Sequence, residues 1–360
     1  MIDNARFILI VLVVLGHFLT TMQGSPVLDV LYSWIYMFHM PAFVFLSGLV
    51  INAEAVTARQ GSRLVSGLLA PLVVFTLLYE VFGLIIDQPV PSDDNLMDPY
   101  WLLWFIVALT IWRLMVPVLR SLRWPVATTL VISTLLVLIS DLPAVWSIDR
   151  VIVLLPFFTA GLVVTPERIR ALRTRRWRLV SAGILVVSVP LSVWVTQLPA
   201  GFLTYNDGVE SIGDVPEFLF MYLVATAMIV ALLSLTPSSR GVMTKWGTRT
   251  MYVYLLHGFF VRAFRSAGLG EALTSPAGLV LIVVVSVGLA IVLSSDGVVR
   301  MTRRLVEPDV GWLLKDPARD AAPASAGGRG ATSAPTVRRA VSSQPPAPRD
   351  GRALVVDTEA

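Results

Sequence analysis

The sequence holds three histidines, His17, His39 and His257, and each falls inside a long apolar stretch. An imidazole titrates near neutrality and can act as a general base, a nucleophile or a proton relay. Ionisable groups in hydrocarbon are expensive and mark functional positions by default. His17 shares its stretch with Arg6, eleven residues earlier. Eleven residues is close to three turns, so the two fall on one helix face, roughly 16 Å apart along the axis. That spacing suits a ligand with a charged end at the membrane surface and a reactive end in the bilayer. Coenzyme A, whose phosphates join a thioester through a long arm, has that form. The plainer reading of Arg6 is a snorkelling anchor; His17 lies too deep to snorkel.

His39 sits in Phe38-His39-Met40-Pro41, and Pro41 predicts a break or kink that frees carbonyls beside it. His257 lies about eight residues into its own stretch, so all three imidazoles are expected near one depth. A satisfied structural histidine is the alternative for His39 and His257. Arg59 and Arg63 precede the third stretch and suit either a phosphate clamp or simple topology. Glu80 is an in-membrane carboxylate that could orient a histidine or meet a sugar hydroxyl, and its depth also suits a simple interface position. Trp104, with Tyr100, Trp101 and Trp112, reads as an aromatic belt or as faces for sugar rings. Asp207, Glu210, Asp214 and Glu217 line a loop where an acceptor could arrive.

The elements that must position these groups are membrane helices. Of 360 residues, 56% are hydrophobic and only 14% charged, against about 25% in soluble domains. Spans are expected near 5–22, 28–51, 64–86, 100–119, 125–141, 150–165, 178–197, 216–236, 250–265 and 277–295. The first lacks a small-x-small cleavage site and reads as a span, not a cleaved signal peptide. Arginines and lysines gather in alternate loops: Arg120 and Arg123, then Arg168 to Arg178, then Arg240, Lys245 and Arg249, then Arg300 to Arg304. The positive-inside rule makes those loops cytoplasmic. The fold class is thus all-α, a polytopic bundle of about ten transmembrane helices with both termini in the cytoplasm. Residues 1–315 form the membrane body. Residues 316–360, rich in Ala, Pro, Ser and Arg, are expected to be a disordered cytoplasmic tail. The net charge of +4 follows membrane topology, not nucleic-acid binding. With no cysteine, disulfides, thiolate metal sites and cysteine nucleophiles are excluded.

Several segments together resemble a known family. They are Asp3-Asn4-x-Arg6, the Arg6–His17 spacing, Phe38 to Gly48, Arg63-Leu64 with Pro71, Trp104-Phe105-Ile106 and Tyr254-Leu255-Leu256-His257. The chain is similar to the acyltransferase-3 family, integral-membrane O-acyltransferases of the fucose 4-O-acetylase-like kind. The resemblance implies an acyl-CoA co-substrate, acetyl-CoA by default, with no permanently bound cofactor. It implies an acceptor hydroxyl on an envelope or extracellular glycan or glycoside. It makes Arg6 and His17 the essential pair of the first helix and places Arg63 in the donor region. His39 and His257 match family positions. Arg59-x-x-x-Arg63 departs from the closer arginine pair of some members. The expected location is a bacterial plasma membrane, multi-pass. A sugar hydroxyl needs a base as it attacks a thioester, and His17 is the candidate, either directly or as an acylated relay. The rivals are a proton-coupled transporter or flippase of a glycan precursor, and a bis-histidine haem protein.

Overall fold

The computed structural model describes residues 1–22, 24–51, 58–87, 101–139, 145–198 and 212–313. The expected tail from 316 onward lies outside them. The described residues form helices and turns, with no strand among them. In chain order the helices are α1 (Ile2–Leu19), α2 (Pro26–Tyr36), α3 (His39–Leu49), α4 (Ala58–Leu64), α5 (Ala70–Ile85) and α6 (Trp104–Ser121). There follow α7 (Pro125–Ile139), α8 (Ile148–Val163), α9 (Pro166–Ala171), α10 (Arg175–Val195) and α11 (Val215–Leu235). The last are α12 (Val242–Gly247), α13 (Thr250–Ser266), α14 (Leu269–Ala272), α15 (Pro276–Leu293) and α16 (Asp296–Val306).

Each apolar stretch of the sequence falls on one helix or, for the second and third, on consecutive helices. Among the described residues, seven segments are long and apolar enough to cross a membrane: Ile2–Leu19, Pro26–Leu49, Gly61–Ile85, Trp101–Ser121, Arg175–Val195, Ile212–Leu235 and Pro276–Leu293. The helices α7, α8 and α13 are shorter, at 15, 16 and 17 residues. The outer helices turn apolar side chains outward, among them Leu84 on α5, Val187 on α10 and Val284 on α15. In water such a surface would drive aggregation; in lipid it costs nothing.

Prolines explain two irregularities. The second stretch is two helices, broken at Met37–Phe38. Pro41 has no N–H to offer the carbonyl four residues back, so the ladder stops there. His39 Nδ1–H repairs part of the break by donating to Ile35 O at 2.9 Å. Further on, α4 joins α5 through a π-turn, Val65–Leu69, just before Pro71.

Close packing centres on α3 against α8. A Cβ on Gly48 would overlap the Phe158 carbonyl, and a Cβ on Gly161 would overlap that of Phe45. Small residues let two membrane helices approach backbone to backbone, where dispersion replaces the missing hydrophobic drive. Polar side chains finish the interior by meeting carbonyls of neighbouring helices: Trp112 Nε1 to Val151 O at 2.9 Å, Tyr79 Oη to Leu255 O at 2.8 Å and Ser133 Oγ to Ile152 O at 2.6 Å. At the polar end, Lys245 and Arg249 bond Asp296 at 2.7 and 2.6 Å, tying α16 to the α12–α13 turn. Those hydrogen bonds hold the Asp296 carboxyl down to about 2.

Gly161→Leu should therefore force α3 and α8 apart and cost about 1–3 kcal/mol, the usual cost of overpacking. Gly183→Ala on α10, where a Cβ meets nothing, should leave stability unchanged. Thermal unfolding of the two variants in detergent tests this; equal midpoints would refute the close approach.

Candidate active site

The first turn of α1 is fixed from outside the helix. Asn4, 2% exposed, donates through Nδ2 to Pro237 O at 2.8 Å and Ser239 O at 3.0 Å. Its Oδ1 accepts from Thr244 Oγ1 at 2.8 Å. Gly247 allows α12 to lie directly against the Asp3 carbonyl. Asp3 Oδ1 in turn accepts from Arg6 Nη1 at 3.1 Å. The Asp3-Asn4-x-Arg6 segment thus works as a fixture: Asn4 sets the helix, and Asp3 sets the arginine.

From this fixed end, one face of α1 lines a cavity of about 220 Å³ with Arg6, Ile10, Val13 and His17. The steps of four, three and four residues form a single helical stripe. A second stripe faces it: Leu102, Phe105, Leu109 and Arg113, on α6 and the turn before it. This stripe also spans eleven residues and runs in the opposite direction, so Arg113 belongs to the Arg6 end and Leu102 to the His17 end. A third wall comes from α3 through Met40, Phe43, Ser47 and Val50. The bottom of α13 adds Thr250, Met251 and Tyr254. The cavity is cationic at one end, apolar in the middle and closed by an imidazole at the other.

Two aromatic rings hold His17. Trp101 packs edge-on against it, with centroids 4.7 Å apart, and the His257 ring lies 5.3 Å away. His257 is fully buried, and its Nδ1 bonds Val253 O at 2.9 Å. That bond uses the Nδ1 proton, so the lone pair of neutral His257 resides on Nε2. Both His257 Nε2 and His17 Nδ1 are buried without a hydrogen-bond partner among the described residues.

The family model described as an acyltransferase domain, acyltransferase-3, matches residues 1–295. The chain belongs to the acyltransferase-3 family. Nodulation protein NolL of Mesorhizobium japonicum is 25% identical over 344 residues, covering 87% of this chain and 88% of that protein. No solved structure matches the chain. As an acyltransferase-3 member with this set of apolar helices, it is a multi-pass membrane O-acyltransferase.

The acyltransferase-3 chain brings some of the expected residues together and separates others. Arg6, His17 and Trp104 line one cavity, and His257 backs it through His17. His39 stands one layer away. Its ring meets Tyr36 at 4.6 Å, its Nδ1 is occupied by Ile35 O, and Tyr36 itself packs on Gly16 beside His17. Glu80 is exposed on α5 and Arg63 is exposed at the end of α4, both outside the cavity lining. The Arg59 side chain, Tyr100, Asp207 and Glu210 lie outside the described residues. Asp214 and Glu217 stand at the start of α11, away from the cavity. Two site residues were not picked out by motif. Arg113 lines the cavity, and Arg150 holds its guanidinium 5.0 Å from the Trp104 ring centroid. The signal for Arg113 was present: a cation in the middle of an 18-residue apolar helix whose other arginine, Arg120, lies in the last turn.

Asn4→Leu keeps the volume and removes three hydrogen bonds, leaving two carbonyls and a hydroxyl without their partner. Stability should fall by about 1–3 kcal/mol, and activity should fall with it because Arg6 loses its fixed helix. An unchanged unfolding midpoint and an unchanged rate would overturn the fixture.

Proposed function

We propose that the protein moves an acyl group, acetyl by default, from cytoplasmic acyl-CoA to a hydroxyl of an envelope or extracellular glycan or glycoside. The observation that carries this reading is the polarity of the cavity. Guanidinium groups stand at one end, an apolar channel follows, and His17 stands roughly 16 Å further along α1. A phosphate-headed donor with a slender arm matches that sequence of environments, whereas a transported sugar would favour polar lining throughout. The Asn4 fixture lies on the Arg-rich loop side, which supports a cytoplasmic address for the cationic end under the positive-inside rule. In this reading the bundle has about ten spans and cytoplasmic termini, in the plasma membrane of a bacterium. The short helices α7, α8 and α13 complete the count.

The chemistry is a single displacement. The acceptor oxygen attacks the thioester carbonyl while His17 Nε2 takes its proton. The tetrahedral intermediate then collapses, the carbon–sulfur bond breaks, and the imidazolium returns the proton to the departing thiolate. In the reacting complex the two rings, 5.3 Å apart in the structure, close so that His257 Nε2 accepts a hydrogen bond from His17 Nδ1–H, two atoms otherwise without partners among the described residues. This leaves the His17 lone pair on Nε2 and steadies the imidazolium, as a carboxylate does in other acyl transferases. His39 packs on Tyr36, which lies against the α1 backbone at Gly16, next to His17 in the chain. Trp104 and the Arg150 guanidinium above it offer a face for the acceptor ring.

Envelope glycans from a deletion strain, complemented with wild type or His17→Ala at equal membrane abundance, test the assignment by mass spectrometry of their ester groups. His17→Ala should lower transfer by about 10²-fold or more; retained esterification would overturn it. Glycan export without acyl-CoA consumption would favour the transporter reading, and an acyl-histidine adduct on the purified protein would replace direct attack by a relay. His257→Ala should lower kcat at least about tenfold, the worth of a hydrogen bond to a charged group, with KM for the donor unchanged.

A further inference from the structure

The cationic end of the cavity contains an unbalanced charge. Arg6 carries one ion pair, to Asp3 at 3.1 Å. Arg113, opposite it on α6, lines the same space, and its Nε is buried with no hydrogen-bond partner. No carboxylate is among the residues lining the cavity. Two guanidiniums facing one low-dielectric space repel each other, and a buried donor without an acceptor is costly. An anion held between them removes both penalties, and guanidinium forks match phosphate oxygens two at a time.

We propose that Arg6 and Arg113 form a two-sided clamp for the diphosphate at the nucleotide end of the donor. The inference rests on the acyl-CoA reading above, and it moves the phosphate contact from Arg59 and Arg63 to Arg113. The spacing supports it. Leu102 and Arg113 are separated by the same eleven residues as His17 and Arg6, so phosphates in the clamp put the thioester at the height of His17. The intervening Phe105 and Leu109 lie along the arm. Arg63, exposed at the end of α4, faces no such space.

Two thioesters separate the possibilities: acetyl-CoA, and S-acetyl-N-acetylcysteamine, which has the reactive end and no phosphate. Arg113→Gln in the full-length protein should raise KM for acetyl-CoA at least about tenfold, the effect of one charge-assisted phosphate contact. KM for the truncated thioester should not change, and kcat should hold for both. Arg113→Lys, which keeps the charge but loses the fork, should fall between wild type and Gln, and it serves if the Gln variant folds poorly. Acetyl-3′-dephospho-CoA should show the same Arg113 dependence as acetyl-CoA; loss of that dependence would overturn the diphosphate assignment in favour of the 3′-phosphate. Equal rises for the two thioesters, or no rise for either, would overturn the clamp while leaving acyl-CoA as donor. A wild-type protein that accepts neither thioester would overturn the donor reading and the clamp together.

Discussion

The bilayer offers no hydrogen bonds, so every polar group placed in it must find its partner inside the protein. Much of the architecture follows from that constraint. Tyr79, Trp112 and Ser133 each reach a carbonyl on a neighbouring helix, and His39 bonds the Ile35 carbonyl at the break before α3. Against this background, three of the buried polar atoms without a hydrogen-bond partner among the described residues, His17 Nδ1, His257 Nε2 and Arg113 Nε, stand at or behind the same cavity wall. Others, such as Ser181 Oγ and Ser294 Oγ, lie away from it. Unmet hydrogen-bonding capacity at a cavity is capacity that a ligand can satisfy.

The same constraint assigns the packing. The crossing of α3 and α8 at Gly48 and Gly161 brings two backbones into contact. It thereby fixes the wall formed by Met40, Phe43 and Ser47. On the other side, Asn4 and Gly247 seat α1 against α12, well away from the chemistry they serve. Positioning is therefore distributed: the cavity that His17 closes depends on a glycine crossing and an asparagine fixture that lie outside its lining.

Much of this was legible in the sequence, and the misses have physical causes. The helices appear as apolar stretches because lipid demands them, and the Arg6–His17 stripe follows from helix pitch. The break before His39 was legible from Pro41. An expectation of equal depth for the histidines does not give azimuth. The His257 ring packs against His17 and the His39 ring against Tyr36, because rotation about each helix axis is set by packing partners that are distant in sequence. Arg63 and Glu80 illustrate the same gap, since a charge near a membrane end reads alike whether it faces a cavity or the outside. Arg113 lacked a motif and gained its meaning only from Arg6 across the cavity.

The two facing stripes have a consequence for how this site can vary. One runs from Arg6 to His17 and the other from Leu102 to Arg113, each over eleven residues. Adding one residue to either would swing everything beyond it by about 100° around the helix and lift it by about 1.5 Å. Side chains along the channel can be exchanged singly, but the register cannot be adjusted by small steps. The pair of helices behaves as a ruler graduated in whole turns, and the length of the molecule it measures is written in residue count before it is written in chemistry.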